Sequence, residues 1–158
     1  MYLRLGRVPH PALVPEDVNQ LLGRVLDFST QELERAGVRV QRDLDPSAPR
    51  ALADEGQLRQ VFLNLLRNSR EAMPTGGTLR VASRAAGDVV EVTIADSGGG
   101  IPKEAQSRLF EPFFSTKSGG TGLGLALARQ ILEAHGGSIA CTSTAAQGTT
   151  FLLRVRRA

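Results

Sequence analysis

Val18, Leu21, Leu22, Val25 and Leu26 recur at i, i+3, i+4, i+7 and i+8, the period of one helix face. Pro15, Glu16 and Asp17 stand directly before them, and proline followed by acids is the chemistry of a helix start. The spacing predicts a first helix from about residue 15 to a stop near Gly37. Residues 38–44 then alternate as a strand, and Asp45-Pro46-Ser47-Ala48-Pro49 reads as a turn. A second helix is expected over about 54–73, with Asp54 as N-cap and an apolar stripe at Leu58, Val61, Phe62, Leu65 and Leu66. Residues 78–85 and 89–95 form a hairpin pattern around Ala86-Gly87-Asp88. A short helix over 102–109, an aromatic loop at 110–114 and a largely apolar helix running to about His135 come next. Strands at 138–144 and 149–155 close the chain. In the last of them Phe151, Leu153 and Val155 alternate with Arg154 and Arg156, which puts the arginines on a solvent face.

Three places break this pattern in a way that points to chemistry. Beside the stripe of the second helix runs a polar row, Gln60, Asn64, Asn68 and Glu71, spaced four, four and three along one side. Asparagine is a poor helix-interior residue unless its amide is used. These amides either cap and bridge neighbouring loops or offer oxygens to a hard cation that also carries phosphate and water. In the hairpin's second strand Val90, Val92, Ile94 and Asp96 share a parity, so a core face would carry the Asp96 carboxylate inward, where it requires a partner. The alternative for an Asp ahead of Ser97-Gly98-Gly99-Gly100-Ile101-Pro102 is an ordinary Asx turn. Finally, residues 117–127 read Lys-Ser-Gly-Gly-Thr-Gly-Leu-Gly-Leu-Ala-Leu, a glycine-dense loop leading into an apolar helix. Such a loop either gathers backbone N–H groups at a helix N-terminus and suits an anion, or is an ordinary mobile loop ahead of a core helix. It is not a P-loop, because Lys117 precedes the glycines; nor is it the dinucleotide fingerprint, because the third glycine position falls on Leu127.

Composition narrows the partners. The 158 residues are the size of one domain. The single cysteine, Cys141, lies among β-formers and reads as a small buried hydrophobe of a reducing compartment. His10 sits between Pro9 and Pro11, and His135 precedes Gly136-Gly137 as a helix stop, where a cation suits the dipole; neither reads as catalytic. No apolar run is long enough for a membrane span, and no signal-peptide core is present, so a cytoplasmic location without membrane contact is expected. The formal charge of +3 is spread along the chain, with one dense cluster at Arg154, Arg156 and Arg157 and few aromatics, which argues against nucleic acid.

Together the segments resemble a known family. Asn64-Leu-Leu-Arg-Asn68-Ser-Arg-Glu-Ala resembles the N box of sensor histidine kinases, Asp96-Ser-Gly-Gly-Gly100-Ile-Pro their first glycine box, and Phe110-Glu-Pro-Phe-Phe114 the F box. Gly120-Thr-Gly-Leu-Gly124-Leu resembles the second glycine box, and Gly148-Thr149-Thr-Phe the closing strand motif. Five boxes in this order, over nearly all of residues 15–156, are similar to the catalytic and ATP-binding domain of the wider gyrase, Hsp90, histidine kinase and MutL superfamily.

That resemblance implies an α/β (α+β) fold of the Bergerat type, a two-layer sandwich with a mixed sheet of about five strands under about three helices, and a lid at about 110–120. It implies ATP and Mg²⁺ as cofactors. By analogy Asp96 accepts a hydrogen bond from the adenine amine, helped by Thr149 through water. Asn68, with Asn64, ligates Mg²⁺, and Lys117 is directed at the γ-phosphate, so that Asn64 and Lys117 are the catalytic candidates. Gly98, Gly100 and Ile101, and Gly120, Thr121, Gly122, Leu123 and Gly124, complete the nucleotide-binding set. Ser97 stands where the family often has Asn. The implied activity is donation of the γ-phosphoryl group to a histidine on a separate dimerisation domain, in two-component signalling with a response regulator. No acid-flanked histidine followed by a helix occurs in this chain, and residues 1–14 resemble the exit from that domain. The expected fragment is monomeric, the remainder of the kinase being free to carry an anchor. A nucleotide-binding regulatory module or pseudokinase is the alternative. A gyrase-like or Hsp90-like ATPase fits less well, because Asn64 occupies the position of its water-activating carboxylate and an amide is no base. A serine kinase of the anti-sigma type shares the boxes, and the exit-like N-terminus favours the histidine kinase.

Overall fold

A computed structural model describes residues 8–47, 50–112 and 124–158. The first strand, β1 (Val14–Glu16), and helix α1 (Val18–Arg35) are followed by β2 (Val38–Leu44), β3 (Ala51–Ala53) and α2 (Glu55–Glu71). The hairpin β4 (Gly77–Ala86) and β5 (Val89–Asp96) leads to α3 (Lys103–Gln106) and α4 (Gly124–Ala134), and β6 (Ser138–Thr144) and β7 (Gly148–Arg156) complete the fold.

Five strands form one mixed sheet in the order β2-β4-β5-β7-β6, with β2 parallel to β4 and every other pair antiparallel. The helices cover one face, giving the two-layer α/β sandwich that the boxes imply. Period two puts Leu79 and Val81 of β4, Val90, Val92 and Ile94 of β5, and Phe151, Leu153 and Val155 of β7 on that face, all fully buried. They meet Leu58, Val61, Phe62 and Leu65 of α2, which are also fully buried. At about 1.5–3 kcal/mol for each large apolar side chain, this stripe is what holds α2 to the sheet.

The cap expected at Asp54 is met, whereas α1 begins at Val18, later than the expected start near residue 15, because Pro15 and Glu16 belong to β1 and Asp17 stands outside the helix as its N-cap. Asp17 caps α1 by accepting from Gln20 N–H at 3.0 Å, and Asp54 caps α2 by accepting from Gln57 N–H at 3.1 Å, each cap contributing about 1 kcal/mol. Gly37, at φ 77°, turns the chain out of α1. The sequence pattern missed β1 and β3, which pair antiparallel with Pro15 opposite Leu52. Three residues are too few to show a period, and Pro15, having no N–H, is tolerated because this is only a two-stranded ribbon.

On the sheet's other face Glu91 is buried between two arginines, its Oε1 accepting from Arg84 Nε at 2.8 Å and its Oε2 from Arg154 Nε at 2.9 Å. The register makes these three residues one cross-strand row through β4, β5 and β7.

Candidate functional site

At one end of the sheet the inward row changes from apolar to polar. Leu79, Asp96, Thr149 and Ser143 lie side by side across β4, β5, β7 and β6. Asp96 therefore points inward, as its parity requires, and is only 3% exposed. Its Oδ1 accepts the Gly98 N–H at 2.9 Å and the Thr149 N–H at 3.4 Å. The first of these is an Asx-type contact, so the inward acid and the turn are the same residue performing both tasks.

The glycine loop after Asp96 is pinned rather than slack. A side chain on Gly98 would collide with the Ala72 carbonyl at the end of α2 and crowd Asp96 Oδ1, while Gly100, at φ 81°, lies against the Thr144 carbonyl. Its third anchor is Ile101, whose N–H donates to Ser143 Oγ at 2.7 Å. Gln106 of α3 adds a clamp, its Nε2 donating to both the Ile101 and Ser143 carbonyls at 3.0 Å. Gly99, by contrast, has open space where a Cβ would stand. Ser97 faces the sheet end, accepting Thr78 N–H at 2.8 Å and approaching Met73 Sδ at 3.7 Å.

In the polar row of α2 Asn64 and Asn68 are half-buried, while Gln60 and Glu71 at its two ends are exposed. Asn64 Nδ2 donates to the Gly124 carbonyl at 3.2 Å, and its Oδ1 accepts from Gln60 at 2.9 Å. This ties α2 to the first turn of α4, the bridging role that the sequence left open for these amides. Asn68 lies one turn closer to the glycine loop, on the same side of the helix. Lys117, Gly120, Thr121, Gly122 and Leu123, and most of the lid at 110–120, lie outside the described residues. Of the second glycine box only Gly124 and Leu125 are described.

Cys141 occupies the inward row next to the polar one, paired with Phe151. Burial and then the nearby Asp96 charge push its thiol up to about 11, so it is a protonated wall residue and not a nucleophile. Ser143 and Gln106 were missed in the sequence. Ser143 could have been found by extending the β6 parity from Ile139 and Cys141; Gln106 carries no periodic signal. His135 is 1% exposed, and its ring accepts the Asp54 N–H, so it is a neutral bridge rather than the cationic stop expected from its position.

The donors present suit a magnesium nucleotide. A buried carboxylate offers an acceptor to a base amine, and α2 offers amide oxygens. Among the described residues no three His, Cys, Asp or Glu side chains converge on a metal position. An ion held mainly by phosphates and water, with one or two protein oxygens, matches the habits of Mg²⁺.

Sheet, helical layer and polar row together define a two-layer α/β sandwich with a buried acid at one end of its sheet. The model of the histidine kinase-, DNA gyrase B- and HSP90-like ATPase family matches residues 53–158, more than half of the chain, and the chain belongs to that family. Sensor histidine kinase ZraS of Escherichia coli (strain K12) is 35% identical over 151 residues, covering 96% of this chain and 32% of that protein. The chain thus spans about a third of the length of this curated relative. Full-length ShkA in complex with AMPPNP superposes with TM-score 0.85 at 29% identity, over 95% of this chain and 32% of that one. The catalytic domain of histidine kinase ThkA gives TM-score 0.83 at 28% identity, over 92% of this chain and 95% of that one. ThkA in complex with the response regulator protein TrrA gives TM-score 0.80 at 26% identity, over 92% of this chain and 42% of that one.

Proposed function

We propose that this chain binds Mg-ATP and presents its γ-phosphoryl group to a histidine on a dimerisation domain outside residues 15–158, as one step of two-component signalling. The observation that carries this reading is the inward carboxylate of Asp96, 3% exposed, in one row with Thr149 and beside a glycine loop pinned to the end of α2. An acid held there selects a base that offers a donor, and adenine does so through its amine.

In this reading bound Mg-ATP supplies the phosphoryl group and the cation that neutralises its charge. The chain's part is to bind and orient. Asp96 accepts from the adenine amine with Thr149 beside it, and Gly98, Gly100 and Ile101 shape the wall. Asn68 is the first choice for the Mg²⁺ ligand and Asn64 the second, following the resemblance of Asn64 to Ala72 to the family's N box. Gly120, Thr121, Gly122, Leu123 and Gly124 contribute backbone amides, and Lys117 a cation at the γ-phosphate. Transfer of this kind rests on positioning and charge stabilisation, so no base is required of this domain. Water activation is disfavoured, because Asn64 can neither take a proton nor leave Gly124 without loosening α4.

Residues 1–14 would lead out of the dimerisation domain, and a response regulator would receive the phosphoryl group from that domain. No helix among the described residues is long and apolar enough to cross a membrane. A cytoplasmic, monomeric catalytic unit is the arrangement proposed.

Calorimetry with Mg-ADP tests the adenine assignment. Asp96→Asn should weaken binding by about ten- to a hundredfold, the equivalent of a hydrogen bond to a charged group at about 1.5–3 kcal/mol, with the fold intact by circular dichroism. Unchanged affinity refutes it. The transfer step is read with labelled ATP: the isolated chain should incorporate little label, and a histidine-bearing dimerisation domain added to it should become labelled in an acid-labile form.

A further inference from the structure

The polar row holds one group for which the proposed function has no role. Ser143 Oγ receives the Ile101 N–H at 2.7 Å and lies 2.8 Å from Thr149 Oγ1. An amide N–H can only donate, so it occupies one lone pair of Ser143 and polarises that hydroxyl into a stronger donor. On the far side of Thr149 stands the Asp96 carboxylate, one place along the same row, with the Thr149 N–H already 3.4 Å from its Oδ1. Negative charge on that side turns the Thr149 hydroxyl proton away from Ser143, into the space that a base bound to the carboxylate would share, and leaves a Thr149 lone pair facing Ser143. Both ends of the chain therefore favour one direction: Ile101 N–H to Ser143, Ser143 O–H to Thr149, and the Thr149 proton into that space.

We propose that Ser143 is a positioning residue that fixes the Thr149 hydroxyl as a donor into the base pocket, and so makes the site read the acceptor beside the amine of the purine's edge. The inference rests on the adenine reading of Asp96. Adenine carries a donor, its amine, next to an acceptor, N1; guanine carries the reverse order, O6 then N1–H. Asp96 addresses the first group, and a Thr149 proton held outward by Ser143 addresses the second, directly or through one water. Without Ser143 the Thr149 hydroxyl can rotate, and the second half of the recognition is lost while the first remains.

Gln106 supplies the control. It ties the same two segments through their carbonyls but takes no part in the hydroxyl chain. Mg-ADP and its 1-deaza analogue, in which N1 is replaced by C–H, are titrated calorimetrically into wild type, Ser143→Ala, Ser143→Thr and Gln106→Ala. Wild type should prefer ADP, and Ser143→Ala should shrink that preference about three- to tenfold, the size of one hydrogen bond. Ser143→Thr, which keeps the hydroxyl, should restore it. Gln106→Ala should weaken both nucleotides by the same factor and leave the preference intact. In the nucleotide-free protein, amide exchange at Ile101 should quicken in Ser143→Ala while the β5 and β7 amides keep their protection, which separates a lost acceptor from a lost fold. Equal weakening of both nucleotides in Ser143→Ala, or a wild type that binds ADP without preferring it, overturns the role of Ser143 and leaves the Asp96 reading standing. A wild type that binds neither nucleotide overturns both.

Discussion

His135 Nε2 accepts the backbone N–H of Asp54 at 3.0 Å, and its Nδ1 faces the Ile131 carbonyl at 2.8 Å. An imidazole with one nitrogen accepting and the other against a carbonyl is neutral and carries its proton on Nδ1. The ring thus joins the C-terminal end of α4 to the N-cap of α2 across a sequence separation of 81 residues. Replacing His135 with Ala should leave a buried N–H without an acceptor and a void at the junction. The expected cost is about 2–4 kcal/mol in urea unfolding. A loss below about 0.5 kcal/mol would show that the junction tolerates water in place of the ring.

Asn68 and Asn64 should separate in their response to metal. Asn68→Ala is expected to make ADP affinity insensitive to Mg²⁺. Asn64→Ala should instead release Gly124 and lower stability while metal dependence persists. Titrations with and without Mg²⁺ read the difference, and the opposite pattern would exchange the two assignments.

Hydrogen bonds and charge from Arg84, and next from Arg154, hold the Glu91 carboxyl below the usual glutamate range against the effect of its burial. Its folded value is lower than its unfolded one. The stability it contributes is therefore complete above about pH 4.3, the ordinary glutamate value, and is lost as pH falls through the lowered folded value. Urea midpoints taken from pH 7 down to pH 3 should fall less steeply in Glu91→Gln than in wild type. Parallel curves would mean that the row carries no acid-linked stability.

Ser69 is fully buried on α2, and its Oγ has no hydrogen-bond partner among the described residues. A desolvated hydroxyl without a partner costs about 1–3 kcal/mol. Ser69→Ala is expected to stabilise the protein by about 1 kcal/mol and to raise Tm by about 2–4 °C for a domain of this size. A lower Tm would indicate an ordered water on that oxygen.

The elements that make the fold were readable because each repeats a period over several turns or pleats. The stripe Leu58 to Leu66, the alternation Val90 to Asp96 and the cap Asp54 all stand where their spacing puts them. Asp96 was legible for the same reason, since parity alone turned it inward. What the pattern could not carry were pairings made only by tertiary closure. Ser143 with Thr149, Gln106 with Ile101, His135 with Asp54 and Asn64 with Gly124 join side chains to groups whose proximity no local spacing encodes. The glycines of the first box show the limit from the other side. Their spacing carries no sign that Gly98 and Gly100 are small because neighbouring carbonyls press against them.

The strand order β2-β4-β5-β7-β6 has a consequence for how the protein comes into being. The last strand of the chain is an interior one, inserted between β5 and β6. A nascent polypeptide that has made β5 but not β7 exposes an open strand edge ending in a carboxylate, with Thr149 still inside the ribosome. Since chains fold as their segments emerge, the row that sets Asp96 beside Thr149 closes only once synthesis has passed residue 149, and any ligand held there can stabilise the sheet only from that point on.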